Sequence, residues 1–248
     1  MSELVSSIRE RYLQTLDRIA SAALSVGREP SAIRLVVVTK SQPREVLLAA
    51  IEAGATVLGE NYPEEAVEKI KSISVQSAVE WHMIGHVQSR QARLVTEYFN
   101  LMHSLDSLKL AERLDRFAAE AGRTLPALLE FNVGGEDSKS GWPAADETRW
   151  DELPAFLAPV LQLKGVSHLE IRGLMVMPPI GDQAEASRPF FQRARRLQTF
   201  LSVRLPQIHW SELSMGTSAD YEVAVQEGAT LVRVGTAIVG PRKYNEET

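Results

Sequence analysis

The chain contains no cysteine. That excludes disulfides, thiolate metal sites and cysteine nucleophiles together. No apolar run approaches the roughly 18 residues that a membrane-spanning helix needs. The opening Met1-Ser2-Glu3-Leu4 lacks the basic-then-apolar order of a secretory leader, so the expectation is a cytoplasmic protein without membrane contact. Neither sign of charge dominates: 27 Lys and Arg stand against 32 Asp and Glu, a net charge of −5. No broad basic face is left for a nucleic-acid backbone, and the imbalance is too small for an acidic tail or a disordered chain.

Several familiar motifs are also missing. There is no G-x-S-x-G nucleophile elbow. The run Gly134-Gly135-Glu136-Asp137-Ser138-Lys139-Ser140-Gly141 lacks the glycine directly before lysine that a nucleoside-triphosphate loop requires. His82 and His86 are spaced as in a zinc helix but flank a strand end, where four residues span roughly 13 Å. No metal site is expected, and serine and metal hydrolases drop out.

What is present is an ordinary globular composition, 44% hydrophobic and 24% charged over 248 residues. That length suits one α/β barrel of roughly 250 residues. Leu4, Ile8, Tyr12, Leu16, Ile19 and Ala23 recur at helical steps and predict an N-terminal helix over the first 26 residues, stopped at Gly27. Then the period changes. Ile33 to Thr39 is a short β-branched run apolar enough for burial on both faces, and Pro43 suits the first turn of a helix lasting until Gly54. Further strands are predicted at Ala55–Gly59, Trp81–Gly85, Leu101–Leu105, Ala127–Val133, Ile171–Met177, His209–Leu213 and Leu231–Val234. Helical patterns such as Leu108–Ala121 and Phe190–Leu205 fall between most of them. About eight β-then-α units result, the number that closes a barrel. A short echo, Glu52-Ala53-Gly54-Ala55-Thr56-Val57-Leu58-Gly59 against Gln226-Glu227-Gly228-Ala229-Thr230-Leu231-Val232, fits repeated units. Nothing marks a domain boundary, so one domain over 1–248 is expected.

Lys40 directly follows the first buried run. In a barrel the C-terminal strand ends carry the functional side chains. A lysine held beside an apolar strand end can be neutral enough to attack an aldehyde as a Schiff-base nucleophile; the alternative is a lysine that simply exits to solvent. Ser214-Met215-Gly216-Thr217-Ser218 follows the seventh strand and Arg233-Val234-Gly235-Thr236 closes the eighth. Loops at these two places often bind phosphate, with glycine allowing close backbone approach. The alternative is that Ser218 caps the helix containing Tyr221, Ala224 and Val225, and that Gly235 only makes a turn.

Eight segments carry a resemblance to a known family. They are Val38-Thr39-Lys40, Gly59-Glu60-Asn61-Tyr62, Trp81 to Ser89, His103-Ser104-Leu105-Asp106, Glu136 to Gly141, Gly173-Leu174-Met175, Leu213 to Tyr221 and Gly228 to Gly240. In this order and over nearly the whole chain, the sequence resembles the pyridoxal phosphate homeostasis protein family. That family's fold is similar to the barrel domain of bacterial alanine racemases. Thr39, Thr217 and Val239 replace the family's usual serine, methionine and phenylalanine. The resemblance implies a single (β/α)8 TIM barrel with an extra N-terminal helix, carrying pyridoxal 5′-phosphate on Lys40 as a Schiff base. It further implies that Ser214, Gly235 and Thr236 hold the phosphate, that Arg233 faces the pyridine nitrogen, and that Asn61 and Met215 line the ring. His86 is a further candidate near the mouth, with a solvated or capping imidazole as the alternative.

A guanidinium only donates, so Arg233 would favour an unprotonated pyridine and weaken the ring as an electron sink. In the racemases a second domain supplies a catalytic tyrosine from a neighbouring subunit. This sequence ends soon after Arg242-Lys243-Tyr244, so no such domain is expected. The expected protein is a non-enzymatic, monomeric cofactor carrier that limits the free aldehyde and supplies pyridoxal-phosphate-dependent apoenzymes. Two alternatives stand beside it: a pyridoxal-phosphate racemase with a substitute base, and a Schiff-base aldolase that uses Lys40 on a sugar phosphate.

Overall fold

A computed structural model describes residues 2–73, 79–136, 138–161, 168–179 and 181–241. Asp137, in the fifth resemblance segment, and Arg242-Lys243-Tyr244 lie outside them. Among the described residues nine parallel strands run in chain order: β1 (Arg34–Val38), β2 (Val57–Glu60), β3 (Glu80–Met83), β4 (Leu101–Leu105), β5 (Leu125–Asn132), β6 (Trp142–Pro143), β7 (Leu169–Val176), β8 (Glu212–Ser214) and β9 (Leu231–Val234). Eight of them pair in sequence order, and β9 returns to β1 through Arg34↔Leu231 to Val37↔Val234. This closure leaves no open edge. The exception is β6, two residues laid against the outer end of β5 at Phe131↔Trp142, too short for any periodic signal in the sequence.

The helices fall between the strands as α1 (Glu3–Leu24), α2 (Arg44–Glu52), α3 (Pro63–Ser72), α4 (Ala92–Tyr98), α5 (Leu108–Glu120), α6 (Leu153–Leu161), α7 (Arg188–Arg204), α8 (Tyr221–Gln226) and α9 (Thr236–Val239). The helix after β9 is a single turn, too short to cover the strands beside it. The extra helix α1 fills that gap in the outer ring, packing on α2, α8 and α9. It buries Val5, Ile8, Ile19 and Ala23; Leu4, expected on the buried face, is exposed and Val5 takes its place. Among the described residues no helix is long and apolar enough to cross a membrane.

Strand alternation divides the core in two. Val36, Val57, Leu101, Leu128, Met175 and Leu231 form an apolar plug inside the barrel. Their neighbours Val37, Leu58, Met102, Leu129, Leu174 and Val232 face outward into the larger layer beneath the helices. Counting onward by two from the plug puts Lys40, Asn61, His103, Glu130 and Arg233 on inward positions. That period-two rule decides what reaches the cavity above the plug. Strand bounds match the sequence reading at β4 and β9 and differ by one to three residues at the other predicted strands.

Candidate functional site

At the C-terminal rim of the barrel, a cleft of about 320 Å³ is lined by Val38, Lys40, Asn61, Ile84, Met177, Thr217, Ser218, Ala219, Arg233, Gly235 and Thr236. Five residues named from the sequence meet there: Lys40, Asn61, Arg233, Gly235 and Thr236.

The chain on either side of Lys40 is tied down from outside the barrel wall. Thr39 Oγ1 donates to Glu60 Oε1 at 2.7 Å. Lys69 Nζ donates to Thr39 O at 2.9 Å and to Glu60 Oε1 at 3.0 Å, and it pairs with Glu65 Oε1 at 2.6 Å. Glu65 Oε1 in turn accepts Ser41 N–H at 3.0 Å, and Ser41 adopts a left-handed φ of 54°. Glu60 is fully buried. Burial pushes its carboxyl above the usual range, and the Lys69 charge opposes that shift. Outward-facing Thr39 and Glu60 thus anchor the strand ends whose next residues, Lys40 and Asn61, face inward.

Asn61 depends on Gly85: a Cβ there would lie 2.4 Å from the Asn61 carbonyl oxygen. Asn61 Oδ1 is buried with no hydrogen-bond partner, an acceptor that water or a ligand group must satisfy. Across the cleft, a Cβ on Gly235 would press on Val38 Cβ and O at 3.2 and 3.3 Å, a tight contact that glycine avoids. Ser218 Oγ accepts N–H bonds from Gly235 at 3.1 Å and Ala237 at 3.4 Å. With its oxygen so engaged, its hydroxyl proton is left to donate. Ser218 therefore does not cap α8; Asp220 stands at that position, accepting from Thr217 N at 2.7 Å and Ser187 Oγ at 2.7 Å.

Arg233 is 4% exposed and lines the cleft floor. It donates to Val176 O at 3.1 Å and to Ser214 Oγ, which leaves further N–H groups of the five on a guanidinium. Burial brings it down to about 10, with Glu130 and Asp220 opposing, so it stays cationic at neutral pH. Glu130, inward on β5, is pushed up to about 7 by burial and by Asp106, while Arg233 and His86 pull it down.

Three residues named from the sequence, Ser214, Met215 and His86, do not line the cleft. Ser214 does not line the cleft. It is the last residue of β8, fully buried on the inward face, and its hydroxyl meets Arg233 and His103 instead of the rim. Met215, one residue on, turns outward and is fully buried in the layer beneath the helices; Met177 lines the cleft in its place. His86 is also absent from the lining: its imidazole is mostly exposed, with Nδ1 3.0 Å from Asp106 Oδ2. His82 lies inside the barrel against His103 rather than at a metal site, and the described residues hold no cluster able to bind a metal. The sequence reading missed Ser218 as a site residue because a serine before a helix reads first as a cap.

The family model described as alanine racemase, N-terminal domain, matches residues 16–243. The pyridoxal phosphate homeostasis protein of Escherichia coli K12 is 36% identical over 245 residues, 98% of this chain and 100% of the relative. Its counterpart in Pseudomonas aeruginosa PAO1 is 38% identical, covering 97% and 98%.

The chain belongs to the pyridoxal phosphate homeostasis protein family.

Within it, PipY of Synechococcus elongatus PCC7942, solved with PLP bound, superimposes with a TM-score of 0.75 at 39% identity, covering 91% of this chain and 99% of that one. Alanine racemase from Clostridium difficile shares the fold at 15% identity and a TM-score of 0.64; this chain spans 61% of it.

Proposed function

We propose that this chain is a pyridoxal 5′-phosphate-binding protein of vitamin B6 homeostasis: one barrel domain that holds the cofactor on Lys40 and yields it to apoenzymes. The single observation that carries the reading is the meeting, in one cleft, of an inward lysine, the orphaned Asn61 Oδ1, a buried arginine and the Ser218–Gly235 corner. A pyridine aldehyde with an anionic tail fits that donor set. Lys40 would supply the amine, Arg233 would donate to the pyridine nitrogen, Asn61 Oδ1 would accept from a ring hydroxyl, and the Ser218 and Thr236 hydroxyls would hold the phosphate beside Gly235. Bound there, the cofactor supplies an aldehyde for reversible condensation with an amine.

The rest falls to the protein. Arg233 can only donate, so it holds no proton acceptor at the pyridine end and gives little help to carbanion chemistry. Racemisation needs a base on each side of the substrate carbon. The described residues lining the cleft include no tyrosine, histidine or carboxylate. That lining supports a carrier rather than a catalyst.

The test presents the loaded protein to an apoenzyme that requires pyridoxal phosphate, and separately to L-alanine. Recovery of apoenzyme activity with no racemisation supports the carrier. Racemisation at rates typical of enzymes, about 1–1000 per second, would replace it with a racemase.

A further inference from the structure

A file of buried polar side chains crosses the barrel interior below the cleft. Arg233 N–H donates to Ser214 Oγ. Ser214 Oγ lies 2.8 Å from His103 Nδ1, His103 Nε2 lies 3.0 Å from His82 Nδ1, and His82 Nε2 lies 3.4 Å from Glu80 Oε2. Glu80 opens β3 at the opposite face of the barrel, half exposed beside Arg34. Ser214, His103 and His82 are all at most 1% exposed.

The two ends of this file fix its direction. A guanidinium only donates and a carboxylate only accepts. Ser214 Oγ therefore receives the Arg233 proton and spends its own on His103 Nδ1. That leaves the His103 hydrogen on Nε2, pointing at His82 Nδ1, and the His82 hydrogen on Nε2, pointing at Glu80. A proton added to His82 would set its Nδ1–H against the His103 Nε2–H and break the file. Burial acts the same way and holds both imidazoles below the usual histidine range, His103 the more strongly; of the charges around them, Arg34 on β1 and Arg233 on β9 add to that shift, and Glu80 on β3 and Glu212 on β8 oppose it.

We infer that Ser214, His103 and His82 are positioning residues for Arg233. They form a one-way chain of hydrogen bonds that holds the guanidinium beneath the cofactor and ties it to Glu80 on the far face of the barrel. The role rests on the reading that Arg233 faces the pyridine nitrogen; the chain's direction does not.

Two measurements separate these. In the protein without added cofactor, long-range proton–nitrogen NMR of the histidines is expected to show Nε2–H tautomers on His82 and His103, with neither ring titrating in the ordinary histidine range. An Nδ1–H tautomer on either, or titration at the ordinary value, overturns the chain. In the protein saturated with pyridoxal phosphate, Ser214→Ala cuts the chain at its first link, and Glu80→Lys puts a donor where the chain needs an acceptor. Both are expected to shift the visible band of the bound cofactor, and Ser214→Thr to restore it. Because Glu80 lies at the opposite end of the barrel, a merely structural role would leave the band unmoved in Glu80→Lys; an unmoved band in both variants overturns the positioning role. A wild-type protein that takes up no cofactor yet shows both Nε2–H rings would overturn that role through the cofactor reading alone, with the chain's direction standing.

Discussion

Two buried polar clusters flank the cleft, and they are built on opposite plans. Outside the β1–β2 wall, Glu60, Lys69 and Glu65 form an ionic knot on the Lys40 side. Inside the barrel, Ser214, His103 and His82 form a file of neutral groups on the Arg233 side. The ionic knot grips main chain, at Thr39 O and Ser41 N, so it fixes where the lysine's backbone sits. The neutral file grips a side chain and fixes where a charge points. Buried charges need partners, and removing one partner costs far more than a lost hydrogen bond. Neutral donors and acceptors tolerate burial so long as each is matched.

The comparison breaks most visibly at the amine itself. Lys40→Ala should abolish every borohydride-fixable adduct while retaining some non-covalent ligand through Ser218 and Gly235; intact mass after reduction reads the first, equilibrium dialysis the second. Lys69→Met should strand the Glu60 carboxylate and destabilise the fold by roughly 3–5 kcal/mol, measured by urea unfolding. If the loss is no more than about 1 kcal/mol, as for an exposed ion pair, the knot is not the anchor described.

Glu130 sharpens the inner side. Its folded pKa of about 7 lies above its unfolded value. The neutral form is therefore favoured on folding, and the contribution of Glu130 to stability is fully present below about pH 4.5 and is lost as pH rises to about 7. The decline is at most about 3 kcal/mol. Glu130→Gln should flatten that slope in unfolding curves taken across the window; an unchanged slope assigns the pH dependence elsewhere. The smallest effect is expected at Ser218→Ala, which removes one hydrogen bond to a charged group and should weaken pyridoxal phosphate binding about ten- to a hundredfold.

Much of this was legible beforehand. Alternating short apolar runs and helical patterns predict a closed barrel, and the strand-end position of Lys40 predicts its place in the cleft. Ser214 and Met215 were illegible for a specific reason: phase. One residue decides whether a strand side chain faces the plug or the helices, and the sequence does not say where β8 ends. Had Leu231, Arg233 and Gly235 been set in phase with Ser214, the serine would have read as an inner residue. The file from Arg233 to Glu80 joins four strands whose register no single segment encodes. Ser218 was hidden by its own ambiguity, since its partners Gly235 and Ala237 lie at the start of α9, distant in sequence.

The most direct test of the account is peptide mapping after borohydride reduction of the protein with pyridoxal phosphate. The account predicts one pyridoxyl group, on the peptide carrying Lys40, with loss of the visible band. A reduced adduct confined to Lys69, Lys139 or another lysine, or no adduct at all, would contradict it.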